Sequence, residues 1–201
     1  MSIGDSEIKT QERVIRFFKD PEILGYQYIG NLSDYQNKNI KEDRLRQYLR
    51  LKGYADNLID GAITQLQQEA GNLSRGLYDA NKTVYSRLKY GIPVSESPEK
   101  PPVTVQLIDE ENPLNNDFAI AEEVTVVEQS EKRPDLVVYL NGIAVAVIEL
   151  KRSSVSVSEG IRQNLTNQKN SFIQGFFSTM QFCMAGNESE GLRYGTLLTG
   201  E

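Results

Sequence analysis

Residues 133–152 read RPDLVVYLNGIAVAVIELKR, two apolar stretches on either side of Asn141 and Gly142. Val, Ile, Leu, Tyr and Ala fill both alternating sets of positions. Neither face of this hairpin can look at water, so both strands are predicted to be central in a sheet covered on both sides. Elsewhere the pattern splits the chain into a helical part and a strand-rich part. Residues 6–19 place Ile8, Ile15 and Phe18 on one helical stripe, and 24–30 (LGYQYIG) read as a short strand before a polar loop over 31–39. Helical periodicity then covers 40–52, 55–70 and 74–90, punctuated by Gly53 and Gly71. SESPEKPP at 95–102 is the clearest linker.

Beyond the linker, 103–108 and 118–128 alternate like strands around the turn-forming IDEENPLNND, which makes four strands with the hairpin. Ser156 and Glu159 stand in capping-box spacing at a helix start. Ile161 and Leu165 give that helix its buried stripe, and Gln163 and Asn167 share another face. The aromatic patch at 172–177 reads as core, 180–185 as a buried strand, 186–191 as a turn and 192–199 as a last strand. Three parts are expected. Residues 1–94 hold a first helix, a short strand and a helical subdomain; 95–102 are the linker; 103–201 form the core, joined by the helix at 6–19. The predicted class is mixed α/β, a central mixed sheet flanked by helices with a helical insertion.

Charges at the ends of such apolar strands stand out. Asp135 follows Pro134 at the mouth of the first strand; after thirteen intervening residues come Glu149 and, two further on, Lys151. Hydrolysing a phosphodiester calls for a hard cation on the phosphate and a water made nucleophilic near neutral pH. Two carboxylates are suitable oxygen ligands for Mg²⁺, which keeps several of its waters. Lys151 points to the same side as Glu149, where an ammonium can orient the water and offset charge on the phosphate. Asp135, then Glu-x-Lys, is the order of PD-(D/E)XK nucleases. As a bare pattern it is also what a turn and ordinary strand-end charges look like, and the two apolar strands are what favour a site.

Register decides whether these groups meet. A two-residue loop pairs Leu140 with Ile143 and throws Glu149 to the face opposite Asp135. A three-residue loop with Gly142 left-handed pairs Tyr139 with Ile143, sets Asp135 opposite Val147 and keeps all three charges together. That loop, or a bulge of equal effect, is predicted. Resemblance to PD-(D/E)XK folds, which often contribute a further acid from a helix before the sheet, implies one from the first helix, with Glu12 the candidate and Glu7 the alternative. Glu122 and Glu123 are weaker candidates, more simply read as strand-surface carboxylates.

The composition narrows the chemistry. With no His, histidine triads and Cys/His zinc sites are excluded, so acid–base work falls to carboxylates, Lys or Tyr. Cys183 is the single cysteine, which rules out an internal disulfide and fits a cytoplasmic home. No apolar run is long enough to span a bilayer, and residues 1–20 are charged throughout, unlike a signal peptide. The net charge of −6 is the wrong sign for gripping DNA alone, so a nuclease with this balance needs its substrate delivered. Lys41, Arg44, Arg46, Arg50 and Lys52 make one helix basic, a face for DNA or an acidic partner or simply solvated surface. Thr199, Gly200 and Glu201 cap no element, which reads as a boundary within a longer protein.

The segments SEIKTQERVI, LGYQYIGN, VYSRLKYG, NDFAIAEEVTV, KRPDLVVYLNGIAVAVIELKRS, EGIRQNL and MAGNESEGLRYGT resemble, in order, the N-terminal nuclease region of the restriction (R) subunit of type I restriction-modification enzymes. The resemblance runs from about Ser6 to Thr199. It implies a PD-(D/E)XK core in a type I site-specific deoxyribonuclease that cuts double-stranded DNA with Mg²⁺. It also implies ATP-driven translocation by an ATPase after Glu201, in complex with methylation and specificity subunits. No phosphate-cradling Gly-x-x-x-x-Gly-Lys is present in the chain itself. Asp135, Glu149 and Lys151 match the family's catalytic triad, with Asp135 and Glu149 the metal ligands. Gln163 matches the glutamine of a Gln-x-x-x-Tyr element whose tyrosine is replaced here by Asn167. Two other readings compete with the nuclease: a non-catalytic docking module holding the motor to its partner subunits, and a stand-alone repair nuclease.

Overall fold

The computed structural model describes residues 7–97 and 99–197. Ser6, where the first helix is predicted to start, and residues 198 and 199 of the predicted last strand lie outside them. In chain order the elements are α1 (Glu7–Lys19), β1 (Gln27–Asn31), α2 (Glu42–Leu51), α3 (Asp56–Gly71), α4 (Leu77–Tyr90), β2 (Ile92–Val94) and β3 (Val103–Val105). There follow β4 (Phe118–Glu122), β5 (Val126–Val127), β6 (Glu131–Lys132), β7 (Leu136–Leu140), β8 (Ile143–Leu150), α5 (Val157–Asn167), β9 (Phe182–Asn187) and β10 (Gly191–Gly195). Six strands form the central sheet in the order β1-β4-β7-β8-β9-β10, parallel at β1/β4 and β8/β9 and antiparallel elsewhere. The predicted mixed sheet is therefore present, with β7 and β8 at its centre.

Both sheet faces are apolar because both are covered. Ala119, Ala121, Val137, Tyr139, Ala144 and Val147 pack against Ile173, Phe176, Phe177 and Met180. Ile120, Leu136, Val138, Ala146, Ile148 and Leu150 face Ile15, Val14 and Phe18 of α1. Phe18 meets Tyr26 edge-to-face and Tyr26 stacks on Phe118, which ties the end of α1 to the start of β4. On α1, Ile8 is 69% exposed, and the buried row is Thr10, Gln11 and Ile15. The predicted stripe is thus rotated, because α1 seats polar Gln11 on two carboxylates of the β4 end.

The helices α2, α3 and α4 share a core with Ile92, Val94, Val105 and Leu107. The Pro-rich stretch at 95–102 joins β2 to β3, which pair antiparallel. It is a hairpin connection, and strands on both sides of it pack on the helical core. The basic residues of α2 and its flanks are matched internally: Arg44 with Asp117, Arg46 with Glu42 and Asp60, Arg50 with Asp56, and Lys52 with Asp109. Lys41 donates to Asn37 and lies over the Tyr139 ring. The helix that reads as basic in sequence presents no unpaired positive stripe for a phosphate backbone.

The hairpin turn is buried. Asn141 (φ 52°) and Gly142 (φ 84°) form a two-residue turn between Leu140 and Ile143, a geometry that requires left-handed backbone at both positions. Asn141 bonds to Leu107, Asn116 and Asp117, and the Gly142 carbonyl accepts the Lys41 N–H at 2.7 Å. The predicted three-residue loop is absent. Pairing instead slips by one between Tyr139↔Ala144 and Val138↔Ala146, leaving Val145 as a bulge. From there Leu136 pairs with Ile148, and one step further Asp135 stands across from Glu149 rather than Val147.

Candidate nuclease site

The site lies where β7 begins and β8 ends. The bulge at Val145 restores the parity that the two-residue turn would have broken, so Asp135 and Glu149 emerge on one face of the sheet. Asp135 Oδ2 accepts the Leu150 N–H at 2.6 Å, which fixes the carboxylate against the end of β8. Lys151 Nζ stands 4.0 Å from Asp135 Oδ2 and 4.0 Å from Glu149 Oε2. It also donates to the Leu150 carbonyl at 2.9 Å, and the Lys151 N–H is held by the Gly186 carbonyl of β9.

Two helices complete the arrangement. Gln163 of α5 donates its Nε2 to Glu149 Oε2 at 2.6 Å. Helix α5 comes this close because Gly160 faces the sheet: a Cβ there would lie 2.9 Å from that of Ala185 and 3.5 Å from that of Glu149. Glycine inside a helical pattern is the signal in the sequence for such an approach. The buried row of α5 is Val157, Gly160, Asn164 and Asn167, while the expected Ile161 is 38% exposed. Ser156 caps the helix as predicted, but its Oγ accepts from Ser158 N–H and Glu159 turns to Arg162, so no reciprocal box forms. Asn167 is buried.

From α1 the acid that reaches the site is Glu7, whose Oε1 is 3.6 Å from Lys151 Nζ. Glu12 is exposed on the same helix. Glu122 takes hydrogen bonds from Gln11 and the Tyr28 hydroxyl, and Glu123 pairs with Arg133 and Gln11. These two carboxylates hold α1 in place, a role that also brings in Tyr28, which the sequence pattern did not single out.

The electrostatics are unbalanced in a way that suits a cation. Glu149 is fully buried, its Oε2 occupied by Gln163 and its Oε1 without any hydrogen-bond partner. Burial pushes the Asp135 carboxyl up to about 6, against the opposing pull of the Leu150 N–H and Lys151. Glu149 is pushed well above the usual carboxylate range, first by burial and then by the negative charge of Asp135. Both are the behaviour of like charges facing each other out of water. Glu7, Asp135 and Glu149 around the single ammonium of Lys151 leave two formal negative charges when all are ionised, the charge that one divalent cation balances. Among the described residues no group of three or more carboxylates, His or Cys could cage a metal by themselves. A two-carboxylate site with an orphaned buried oxygen fits Mg²⁺, which is usually bound by one or two carboxylates and retained waters.

A mixed six-stranded sheet flanked by helices, with these charges gathered at one end, gives the chain a nuclease-like α/β core. Sequence comparison places it more closely. The chain belongs to the family of the type I restriction enzyme R protein N terminus, whose model matches residues 6–201. It is similar to a Methanocaldococcus jannaschii protein that carries the name of a type I restriction enzyme MjaIXP endonuclease subunit, with 34% identity over 96 residues. That match spans 44% of this chain and 9% of the relative, so the matched stretch is a small part of that protein's length.

Proposed function

We propose that this chain is the endonuclease module of a type I restriction enzyme R subunit, a PD-(D/E)XK nuclease that hydrolyses DNA phosphodiester bonds with Mg²⁺. The observation that carries the reading is the convergence of Asp135, Glu149 and Lys151 on one face, with Glu149 Oε1 buried and unpartnered. Asp135 and Glu149 would hold the metal; when bound it supplies positive charge to the scissile phosphate and lowers the pKa of a water. The protein's own groups do the positioning. Gln163 holds one oxygen of Glu149 so that the other stays free for a ligand. Lys151, steadied by Glu7 and the Leu150 carbonyl, has donors left to orient the attacking water and to offset charge as its oxygen bonds to phosphorus and the sugar oxygen leaves.

Double-stranded DNA is the substrate of this reading. The net charge of −6 and the internally paired basic residues of α2 favour delivery of that DNA by the rest of the complex: an ATP-driven motor elsewhere in the subunit and the methylation and specificity subunits. Among the described residues no helix is long and apolar enough to cross a membrane. The lone buried Cys183 accords with a cytoplasmic protein.

Two experiments test the site. Crystals soaked in Mn²⁺ are expected to show an anomalous peak between Asp135 and Glu149. An empty site in crystals grown with a DNA duplex, which would complete the coordination sphere, would sink the assignment. Lys151→Ala is expected to keep the peak and lose cleavage by about 10²–10³-fold, the size of removing one group that stabilises developing charge. Loss of the metal in that variant would mean that the lysine has been assigned the wrong task.

A further inference from the structure

The motif MAGNESEGLRYGT takes no part in this chemistry, yet its turn is bonded to the segments that do. At the end of β9 and in the turn to β10, residues 187–190 bond to the loop that leads from Lys151 into α5. Asn187 is buried; its Nδ2 donates to the Val155 carbonyl at 2.7 Å, and its Oδ1 accepts the N–H groups of Ser189 and Glu190 at 3.0 and 2.6 Å. The Ser189 hydroxyl donates to the Ser153 carbonyl at 3.2 Å. Glu190 reaches the start of α5, where Oε1 accepts the Val157 N–H at 3.1 Å and Oε2 accepts the Ser156 hydroxyl at 3.4 Å. Glu188 pairs with Arg13 of α1, the helix that carries Glu7 to Lys151.

A carboxylate at a helix N-terminus satisfies one of the N–H groups that have no partner within the helix and meets the positive end of its dipole. Here the consequence reaches further, because α5 has little slack. Gly160 sits close against Ala185 and Glu149, and Gln163, six residues on from Val157, makes a 2.6 Å bond to Glu149. Where the first turn of α5 is pinned decides whether that bond forms. The side chain that orients Glu149 is thus set by a turn on another strand.

We propose that Glu190, held by the turn that Asn187 folds, is a positioning residue of the nuclease centre: by anchoring the first turn of α5 it sets Gln163 on Glu149. The inference rests on the nuclease reading of Asp135, Glu149 and Lys151. Glu190 is exposed, so replacing it leaves the core packing alone.

The test uses the full-length R subunit assembled with its partner subunits and compares Glu190→Ala, Gln163→Ala, the double variant and Glu190→Gln. Glu190→Ala is expected to cut DNA about 10- to 100-fold more slowly, the usual effect of removing a group that orients a metal ligand. ATP hydrolysis should be unchanged, and the unfolding midpoint should fall by no more than about a few degrees, as loss of one exposed helix-end contact does. The decisive result is the cycle: the double variant should be no slower than Gln163→Ala alone, because both changes break the same link. Glu190→Gln keeps an oxygen for the Val157 N–H and should restore most of the rate. Wild-type cleavage by Glu190→Ala, or losses that multiply in the double variant, would overturn the proposal while leaving the nuclease reading intact. Normal cleavage by an Asp135→Asn control would overturn both.

Discussion

Asp135→Asn is expected to abolish DNA cleavage by the assembled enzyme, lowering the rate by about 10³-fold or more, as loss of a charge-stabilising group at a hydrolytic centre does. The amide matches the carboxylate in size, and its oxygen can still accept the Leu150 N–H that Asp135 Oδ2 takes at 2.6 Å. What disappears is one of two carboxylates facing each other across β7 and β8 in a largely buried site. Removing a buried charge crowded by a like charge relieves a cost, so the metal-free variant should be at least as stable as the parent. Cleavage assays on a translocating complex, paired with thermal unfolding in EDTA, read both quantities. A variant that loses activity and stability together would point to Asp135 as a structural strand-end residue, and one that cuts normally would remove it from the site.

Gly142→Ala is expected to cost about 2–5 kcal/mol of folding stability, a large share of the roughly 5–15 kcal/mol that holds a domain of ordinary size together. Two effects add. At φ 84° a side chain pays for left-handed backbone, and its Cβ would lie 2.7 Å from the Lys41 carbonyl oxygen, 2.8 Å from Leu45 N and 2.9 Å from Arg44 Cβ. The first two of these atoms are backbone at the start of α2 and cannot swing aside. The strain would displace α2 from the turn, break the 2.7 Å bond from Lys41 N–H to the Gly142 carbonyl, and loosen the bridge of Ile40 with Ile143. Urea denaturation of the parent and the variant measures the loss. An unchanged midpoint would mean that α2 does not seat on the hairpin turn in solution.

That turn also marks the boundary of what pattern reading can reach. The two central strands, the position of the turn between them, the α2–α4 helices, the Ser156 cap and the candidates Asp135, Glu149 and Lys151 were legible, because each depends on local periodicity or on the chemistry of a short motif, whereas Gln163 entered only through the family resemblance. The parity problem was legible too: Asp135 and Glu149 can share a face only if one residue is added to the hairpin. Which residue is added was not, since Ile143, Ala144, Val145 and Ala146 suit a sheet buried on both faces equally well. Burial of the turn under α2 favours the two-residue form and moves the extra residue to Val145.

The choice between Glu7 and Glu12 has the same character. Both lie on α1, and helical periodicity offers Ile8 as readily as Gln11 for the inward row. Only the pairing of Gln11 with Glu122 and Glu123, acids from a strand more than a hundred residues away, rotates the helix to leave Ile8 in water and bring Glu7 to Lys151. On α5, Gly160 rather than Ile161 faces the sheet because Glu149 must be approached closely by Gln163. The sequence by itself determined which residues carry the candidate chemistry and which strands bring them. The tertiary structure decided the rest, the bulge, the helix rotations and the closing turn at Asn187, because each is set by contacts between segments far apart in the chain.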